Sequence, residues 1–211
     1  MNILQKLSQI STSKTIQPSF QLAHVLLSLI IFEQESEGIG RYRLEKELSL
    51  SEGKVRSLLK YLKAIDLVEV KKKIHLISDK GIKSLQEIYK IFTGPKEPKP
   101  KDSFSNIVIG DSVRYSIVFN ALDKLNIGME QRDEAIKIGG SGATCLIMKN
   151  GTFHFPPSPM SQNKALTTKI DVKVIEYSFS ETDVLVLGTG ETPYLSNLAT
   201  IAAALSLTDE S

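Results

Sequence analysis

The alternation of apolar and polar positions in the first part of the chain predicts four helices and one hairpin. On the third helix, Val55, Leu58, Leu59, Leu62 and Ile65 follow the i, i+3, i+4, i+7, i+10 spacing of a single buried stripe. The predicted elements, in order, are a helix over 18–36, a helix over 41–48, a helix over 52–66, β-prone runs at 67–70 and 74–77, and a helix over 82–92. Three helices followed by a hairpin are the order of a winged helix-turn-helix.

The face of the third helix opposite this stripe is basic. Its cationic side chains point away from the apolar positions, where a helix that lies against DNA carries its charge. Gly53 in the first turn costs helix stability but lets the backbone come close to a phosphate. The alternative is a solvated helix face, which is the usual role of such a run. The candidate DNA-binding residues are Arg41, Arg43, Gly53, Lys54, Arg56, Ser57, Lys60, Lys63, Lys71, Lys72 and Lys73.

A spacer separates this part of the chain from the rest. Between residues 93 and 103, three prolines alternate with charges, which excludes a helix interior and a sheet and predicts a stiff, extended segment. We therefore expect a winged helix-turn-helix DNA-binding domain over 1–92, a Pro/Lys linker over 93–103, and a domain for ligand sensing or assembly over 104–211.

The second domain mixes strand and helix signals. The Asn150-Gly151 pair favours a tight hairpin turn. The predicted elements are strands at 107–110, 135–138, 143–148, 152–155, 172–179 and 184–187, a helix from Asp111 or Ser112 that ends before Gly128, and a last helix from Pro193 with Thr192 as its N-cap. Antiparallel hairpins between helices predict an α+β domain with a small, mainly antiparallel sheet and packed helices.

Charge is distributed unevenly between the two domains. Residues 1–92 carry 15 Lys and Arg against 10 Asp and Glu, whereas residues 104–211 carry 8 against 12. A basic module joined to an acidic one fits a protein of which only one part meets a polyanion. The longest apolar run, 23–32, is too short to span a bilayer, and the first residues lack a secretory signal, so we expect a cytoplasmic protein. Cys145 and three scattered histidines show no metal-ligand spacing, and no cofactor is expected.

Two glycine-rich segments are the main chemical candidates of the second domain. Both are predicted to be turns whose backbone N–H groups could hold an anion, and tight turns without a ligand are the alternative. Neither matches a P-loop or a dinucleotide fingerprint, and the residues around Ser141 do not form a nucleophile elbow. The only two arginines of this domain are expected to clamp a phosphate or carboxylate, or to pair on the surface with Asp111 or Asp133. The candidate ligand-binding residues are Arg114, Arg132, Gly140, Ser141, Gly142, Gly188, Thr189, Gly190 and Thr192.

Several motifs resemble a known group of proteins. The residues Leu48-Ser-Leu-Ser51, the apolar stripe that follows them, and Leu76-Ile-Ser-Asp-Lys-Gly81 are similar to winged-helix domains of bacterial and archaeal transcriptional regulators. The resemblance covers about a third of the chain and implies a homodimer that binds a near-palindromic site. Asp66 stands where such proteins often have a glycine before the wing. Through Gly139-Gly-Ser-Gly-Ala-Thr144 and Gly188-Thr-Gly-Glu-Thr192, the whole chain also resembles archaeal proteins that join a winged helix to a C-terminal domain of uncharacterised function.

Together these patterns favour a dimeric DNA-binding transcriptional regulator whose second domain binds a small anionic ligand. No acid/base set is visible, so we do not expect an enzyme. Two alternatives stay open. In the first, the second domain is an enzyme that acts on a nucleotide or phosphorylated metabolite. In the second, the winged helix is a protein-interaction module of the transcription or replication machinery.

Overall fold

The computed structural model describes residues 3–5, 7, 20–157, 175 and 177–208 of the 211-residue chain. The chain forms two compact units, Met1–Lys90 and Ile91–Ser211. Each unit combines helices with a small antiparallel sheet, which confirms the predicted α+β class. Among the described residues, none of the helices has the length and apolar character needed to cross a bilayer.

The first unit has the element order of a winged helix. Its elements are α1 (Leu22–Gln34), β1 (Ile39–Gly40), α2 (Arg41–Leu48), α3 (Glu52–Ala64), β2 (Val68–Lys71), β3 (Ile74–Ile77) and α4 (Asp79–Tyr89). The strands pair antiparallel in the order β1-β3-β2, with Val68 opposite Ile77 and Lys71 opposite Ile74. The predicted helices and hairpin of this part are confirmed, whereas the apolar pattern did not predict β1.

The core of this unit explains which side of α3 is exposed. Val55, Leu58, Leu59 and Leu62 are buried, as their spacing predicts. Burial of one such side chain stabilises the fold by about 1.5–3 kcal/mol. Helix α1 is apolar on nearly all sides, and every residue from 23 to 32 is buried. Because the core takes the apolar side of α3, the basic side lies at the surface.

Short connections fix the direction of the helices around the wing. The Ser78 hydroxyl accepts a hydrogen bond from the Gly81 amide (3.0 Å) and donates one to the Asp66 carbonyl oxygen (2.6 Å), so it joins α4 to the base of the wing. Residue 81 must be small, because a Cβ there would lie 2.4 Å from the Leu67 carbonyl oxygen. The wing is therefore anchored at its base, and its tip extends from it.

The second unit contains a four-stranded antiparallel sheet covered on both faces. Its elements are β4 (Ser112–Val118), a short 3-10 helix (Leu122–Lys124), α5 (Met129–Lys137), β5 (Gly142–Lys149), β6 (Thr152–His154), β7 (Val184–Gly190) and α6 (Pro193–Leu205). The strand order is β4-β7-β5-β6. Helix α6 packs on β7 and β4, and α5 packs on α6 and β5. Every residue of β7 is buried, as expected for an inner strand covered on both faces.

The opposite face of this sheet carries the aromatic core. Leu185 and Leu187 of β7 pack there with Phe104, Tyr115 and Phe153. Phe104 and Tyr115 meet edge to face, with their ring centroids 6.1 Å apart. Alternate residues of β7 thus face the helix layer and the aromatic cluster, as the two-residue period of a strand requires.

Three predictions for the second unit are wrong. The predicted helix after residue 111 is strand β4, and the predicted strand at 135–138 overlaps the end of α5. Residues 107–110 form turns and irregular structure, not a strand. Half of the predicted strand at 172–179 lies outside the described residues, and its described positions are not in a strand. The Asn150-Gly151 turn, the Thr192 N-cap and Pro193 at the start of α6 are confirmed.

The segment predicted as a stiff, extended spacer pairs with β4. Lys96 and Tyr115 exchange both backbone hydrogen bonds, at 2.8 and 2.9 Å, and the Thr93 amide donates to the Ile117 carbonyl oxygen at 2.9 Å. Thr93 is buried, and its hydroxyl accepts a hydrogen bond from the Ile117 amide. The prolines keep this segment from forming a continuous strand, but the residues between them still pair with the sheet.

Candidate nucleic-acid interface

The predicted basic face of α3 is exposed along its whole length. Lys54, Arg56, Ser57, Lys60 and Lys63 all lie at the surface, because they alternate with the buried stripe. Within the described residues, no carboxylate lies within 4 Å of the three lysines of this face. Their charge is therefore available to an anionic partner.

Gly53 lies at the start of the same face. A Cβ at this position would have no heavy atom within 4 Å, and the backbone does not require a left-handed conformation. Glycine is unfavourable inside a helix by about 0.5–1 kcal/mol relative to alanine. Since no contact within the described chain requires a glycine here, the open backbone is suited to the close approach of another molecule.

The three arginines of the first unit are paired with glutamates. Arg41 Nη2 and Arg56 Nη2 lie 3.1 and 2.7 Å from the same oxygen, Glu52 Oε1. Arg43 donates hydrogen bonds to Glu35 and, at 2.7 Å, to Glu47, and these bonds, the one to Glu35 most, raise the pKa of its guanidinium group. Exposed pairs of this kind contribute little to stability, so phosphates can replace them at little cost.

The wing carries three consecutive lysines, two of which lie on a strained turn. Lys72 and Lys73 both have left-handed φ angles, 50° and 70°, as a two-residue type I′ hairpin requires. Asparagine and glycine are the residues that fit this turn best, and a lysine in this conformation costs about 1–2 kcal/mol. Lys71 precedes them at the end of β2, and its Nζ atom lies 3.5 Å from Glu69 Oε2. The local sequence thus keeps charge at the tip at the expense of stability.

The structure brings α2, α3 and the wing into one electrostatic environment. His75 of β3 is partly buried, which lowers its pKa. The charges of Arg41 and Lys63 lower the pKa further, whereas a hydrogen bond that His75 donates to the backbone of Ile39 raises it. His75 therefore lies close enough to Arg41 of α2 and Lys63 of α3 for both charges to act on it. The proximity of these residues of α2, α3 and β3 depends on tertiary packing and was not predicted from the sequence.

Two further exposed residues, at the starts of α2 and α3, were not among the predicted site residues. Tyr42 lies between Arg41 and Arg43 and is 88% exposed, because α2 buries Leu44 and Leu48 on its other side. Glu52 is the second. Its spacing of four residues from Arg56 is the signal that indicates their ion pair, but its contact with Arg41 depends on the packing of two helices.

The candidate ligand residues of the second unit fall into two groups. Arg114 lines a cavity of about 490 Å³ between the 97–113 segment and the start of α6. Its Nη1 atom donates to the Val113 carbonyl oxygen at 2.9 Å and lies 3.5 Å from Glu97 Oε1. The carboxylate that pairs with Arg114 is therefore Glu97, and not Asp111 or Asp133 as predicted. The hydrogen bond from Lys101 and the charge of Arg114 lower the pKa of Glu97. Arg132 is exposed on α5 and does not line this cavity.

The two glycine segments lie side by side, and only the first contains a turn, at 138–141 between α5 and β5. Gly142 pairs with Thr189, and the Ser141 amide donates to the Thr189 carbonyl oxygen at 2.8 Å. Gly188 and Gly190 belong to β7, whose backbone pairs with β4 on one side, and β5 pairs with Gly188 and Thr189 on the other. The predicted turn at 188–190 is therefore wrong, because these residues continue the strand.

Close packing of α6 explains the glycines instead. A Cβ on Gly188 would lie 2.4 Å from the Thr200 amide nitrogen, and one on Gly140 would lie 2.5 Å from Ala199 Cβ. A Cβ on Gly190 would lie 2.7 Å from the Ser196 amide nitrogen. Small residues on both sides let α6 lie directly on the sheet. The Thr192 hydroxyl is occupied by the Leu195 amide as the helix cap.

The described geometry therefore defines a winged-helix unit with an exposed cationic face, joined to a unit with a four-stranded sheet. Residues 21–83 match the family model described as PH0730-like, N-terminal domain, and residues 109–207 match the model described as Domain of unknown function (DUF4443). No curated protein matches the chain. These matches agree with the resemblance to archaeal proteins that join such an N-terminal unit to a C-terminal domain of uncharacterised function.

Among solved structures, the chain is similar to the hypothetical protein PH0730 from Pyrococcus horikoshii OT3. The two chains are 24% identical, the match covers 91% of this chain and 95% of that chain, and the TM-score is 0.67. At this identity the similarity shows a shared fold.

Proposed function

We propose that this protein is a DNA-binding transcriptional regulator and that α3 enters the major groove. The observation that carries the proposal is the exposed basic face of α3 beside a wing whose tip keeps three lysines. An α-helix fits the major groove, and side chains near its start reach base edges. Arg56 and Lys60 are then nearest to the bases or the flanking phosphates.

The remaining cations are proposed to position the protein on the backbone. Arg41 and Arg43 lie in the first turn of α2, and Lys71 to Lys73 form the wing tip. Contacts of this kind with phosphates add affinity and salt dependence, but little sequence choice. The resemblance to regulators adds a homodimer, in which two copies of α3 bind the two halves of a near-palindromic site. Such a protein would act in the cytoplasm.

A binding experiment with the full chain tests the proposal. Fluorescence anisotropy is measured with duplexes selected from a random library, at several salt concentrations. Replacing Arg56 and Lys60 together by alanine should lower the affinity about 10- to 100-fold, because a lost base contact costs about 1–3 kcal/mol. Lys83→Ala on α4 is the matched control and should bind like the parent protein. If no duplex binds, or if the double variant binds unchanged, DNA binding through α3 is refuted.

We propose further that the second unit binds a small ligand through the Arg114 cavity. The Arg114 side chain is only 14% exposed, yet it lines an open space of about 490 Å³, which is within the range of small-molecule sites. A ligand with a carboxylate or phosphate group would pair with its guanidinium group. The cavity is also lined by the carboxylates of Glu97, Asp102, Asp111 and Glu191, so this ligand would carry a cationic group as well. We propose a binding role here, not catalysis.

Native mass spectrometry of the purified protein tests this second role. A small molecule that co-purifies with the parent protein should be lost from Arg114→Gln and kept by Arg132→Gln, which removes the other arginine of this unit. Equal retention by both variants would contradict a site at Arg114. Stable capture of a protein in place of DNA or a small molecule would favour the alternative of an interaction module.

A further inference from the structure

Glu52, the first residue of α3, holds two arginines at once. Its Oε1 atom lies 2.7 Å from Arg56 Nη2 and 3.1 Å from Arg41 Nη2. Arg56 is one turn further along the same helix, and Arg41 is the first residue of α2. One carboxylate therefore joins the cationic starts of both helices. The three side chains are 54%, 67% and 44% exposed, so an approaching molecule can reach the pairs.

On DNA, phosphates compete with Glu52 for the same two guanidinium groups. Exposed ion pairs are weak, so exchanging one for an arginine–phosphate contact changes the free energy little. The exchange leaves the Glu52 carboxylate without its cations and close to the negatively charged backbone, which repels it. Binding to an arbitrary sequence is therefore weakened by Glu52.

A particular base pair can remove this disadvantage. Arginine binds guanine O6 and N7 in the major groove, and a glutamate accepts a hydrogen bond from the N4 amino group of cytosine. Because Glu52 and Arg56 lie on the same exposed turn of α3, a G·C-containing step can satisfy both side chains after their ion pair has opened. The cost is then compensated at some sequences and not at others.

We propose that Glu52 is a specificity-determining residue of the DNA-binding face. It lowers the affinity for arbitrary DNA by holding Arg41 and Arg56, and it is compensated where a cytosine meets the start of α3. This inference rests on the proposed DNA binding. It adds a base preference and a residue that opposes non-specific contacts.

The test compares three variants of the full chain on two duplexes, one selected by the parent protein and one of random sequence. Glu52→Gln removes the charge, whereas Glu52→Asp keeps the charge on a side chain that is shorter by one methylene group and is expected to weaken the contact with both arginines. Glu87→Gln on α4 is the matched control, since it removes one exposed carboxylate that pairs with a single lysine, Lys90, at 2.6 Å. Circular dichroism confirms that each variant is folded.

Glu52→Gln should bind the random duplex about fivefold more tightly, which is the size expected for one exposed charge contact. Its salt slope should steepen by about 1–2, because each newly contacted phosphate adds about 0.9. Glu52→Asp should show an intermediate gain, and Glu87→Gln a smaller one. A library selected with Glu52→Gln should lose its G·C preference at one position of each half-site.

Two results would overturn the inference while leaving DNA binding intact. They are equal gains for Glu52→Gln and Glu87→Gln, and an unchanged base preference after selection with Glu52→Gln. If the parent protein binds neither duplex, the proposed function fails, and the role of Glu52 fails with it. The two failures are distinguished by the parent protein alone.

Discussion

Gly53→Ala is predicted to stabilise the first unit and to weaken its binding to DNA. Gly53 is the second residue of α3, its φ angle is not left-handed, and a Cβ there would meet no heavy atom within 4 Å. Alanine is therefore accommodated without a clash. It also reduces the conformational freedom of the unfolded chain, which glycine increases.

The expected gain follows from helix propensity. Glycine is less favourable than alanine by about 0.8–1 kcal/mol in a helix interior. Position 53 is in the first turn, so we expect an increase of about 0.5–1 kcal/mol in the free energy of unfolding. For a unit of roughly 90 residues this raises the Tm by about 2–8 °C. Calorimetry of the full chain measures this change as a shift of the transition of the first unit.

The same methyl group should weaken DNA binding. A phosphate that accepts a hydrogen bond from the start of α3 lies about 2.9 Å from a backbone nitrogen, and an added Cβ would occupy part of that space. Loss of one hydrogen bond to a charged group costs about 1.5–3 kcal/mol. A tenfold or larger fall in affinity is therefore expected in the anisotropy experiment.

Gly40→Ala is the matched control for this substitution. Gly40 is the N-cap of α2, and a Cβ there would also meet nothing within 4 Å. Glycine is preferred over alanine at an N-cap, so this variant should lose about 0.3–1 kcal/mol, the opposite sign from Gly53→Ala. If Gly53→Ala melts at or below the parent temperature, the open surroundings of this position are refuted. If its affinity for DNA is unchanged, no phosphate approaches the start of α3.

Three further predictions concern stability. Gly188→Ala should destabilise the second unit by about 1–3 kcal/mol or more, because a Cβ would lie 2.4 Å from the Thr200 amide nitrogen. If urea unfolding shows that the variant is as stable as the parent protein, this packing is contradicted. Leu58→Ala should lower the free energy of unfolding of the first unit by about 2–5 kcal/mol, since this side chain is completely buried. A decrease of less than about 1 kcal/mol would contradict its burial. Burial lowers the pKa of His24 from 6.5 to about 4. The unfolded chain therefore binds this proton at a higher pH than the folded chain does, and the free energy of unfolding should fall as the pH drops from about 6.5 to 4. His24→Gln can still accept a hydrogen bond from the Gln21 amide, but it should remove this part of the pH dependence. Urea titrations at pH 7 and 5 measure it, and an identical change of the free energy of unfolding with pH in both proteins would exclude His24 as its source.

The first unit was predictable because its helices are buried on one side only. In α3 the apolar residues fall on one stripe and the charges on the other, so the period of 3.6 residues is visible in the sequence. The exposure of Lys60 and Lys63 follows from the same pattern. The double ion pair of Glu52 could not be predicted, because it depends on the packing of α2 against α3.

The second unit was harder to predict because β4 is buried on both faces. Ile117 and Val118 are neighbours that point to opposite sides, and both are buried. With the apolar residues that follow, they imitate the stripe of a helix, which led to the wrong prediction. In α5, by contrast, only Gln131 and Ala135 are buried, so no stripe is visible. Short amphipathic patterns cannot separate these cases without knowledge of which elements cover the sheet.

The glycine segments show a similar limit. Their sequences fit a turn, and only the position of α6 over β7 shows that the absent side chains make room for Thr200 and Ala199. The small residues of α6 carry the complementary signal, since a helix rich in alanine can approach a strand rich in glycine. Reading both segments together would have favoured helix packing over an anion site.

The pairing of residues 93–96 with β4 has a consequence for dividing this protein into fragments. A fragment that begins at residue 104 would lack Lys96 and Thr93, and the backbone groups of Tyr115 and Ile117 that they satisfy would become an unprotected sheet edge. Such edges are templates for aggregation. A fragment that begins at residue 91 keeps this natural cover and should remain monodisperse where the shorter one precipitates.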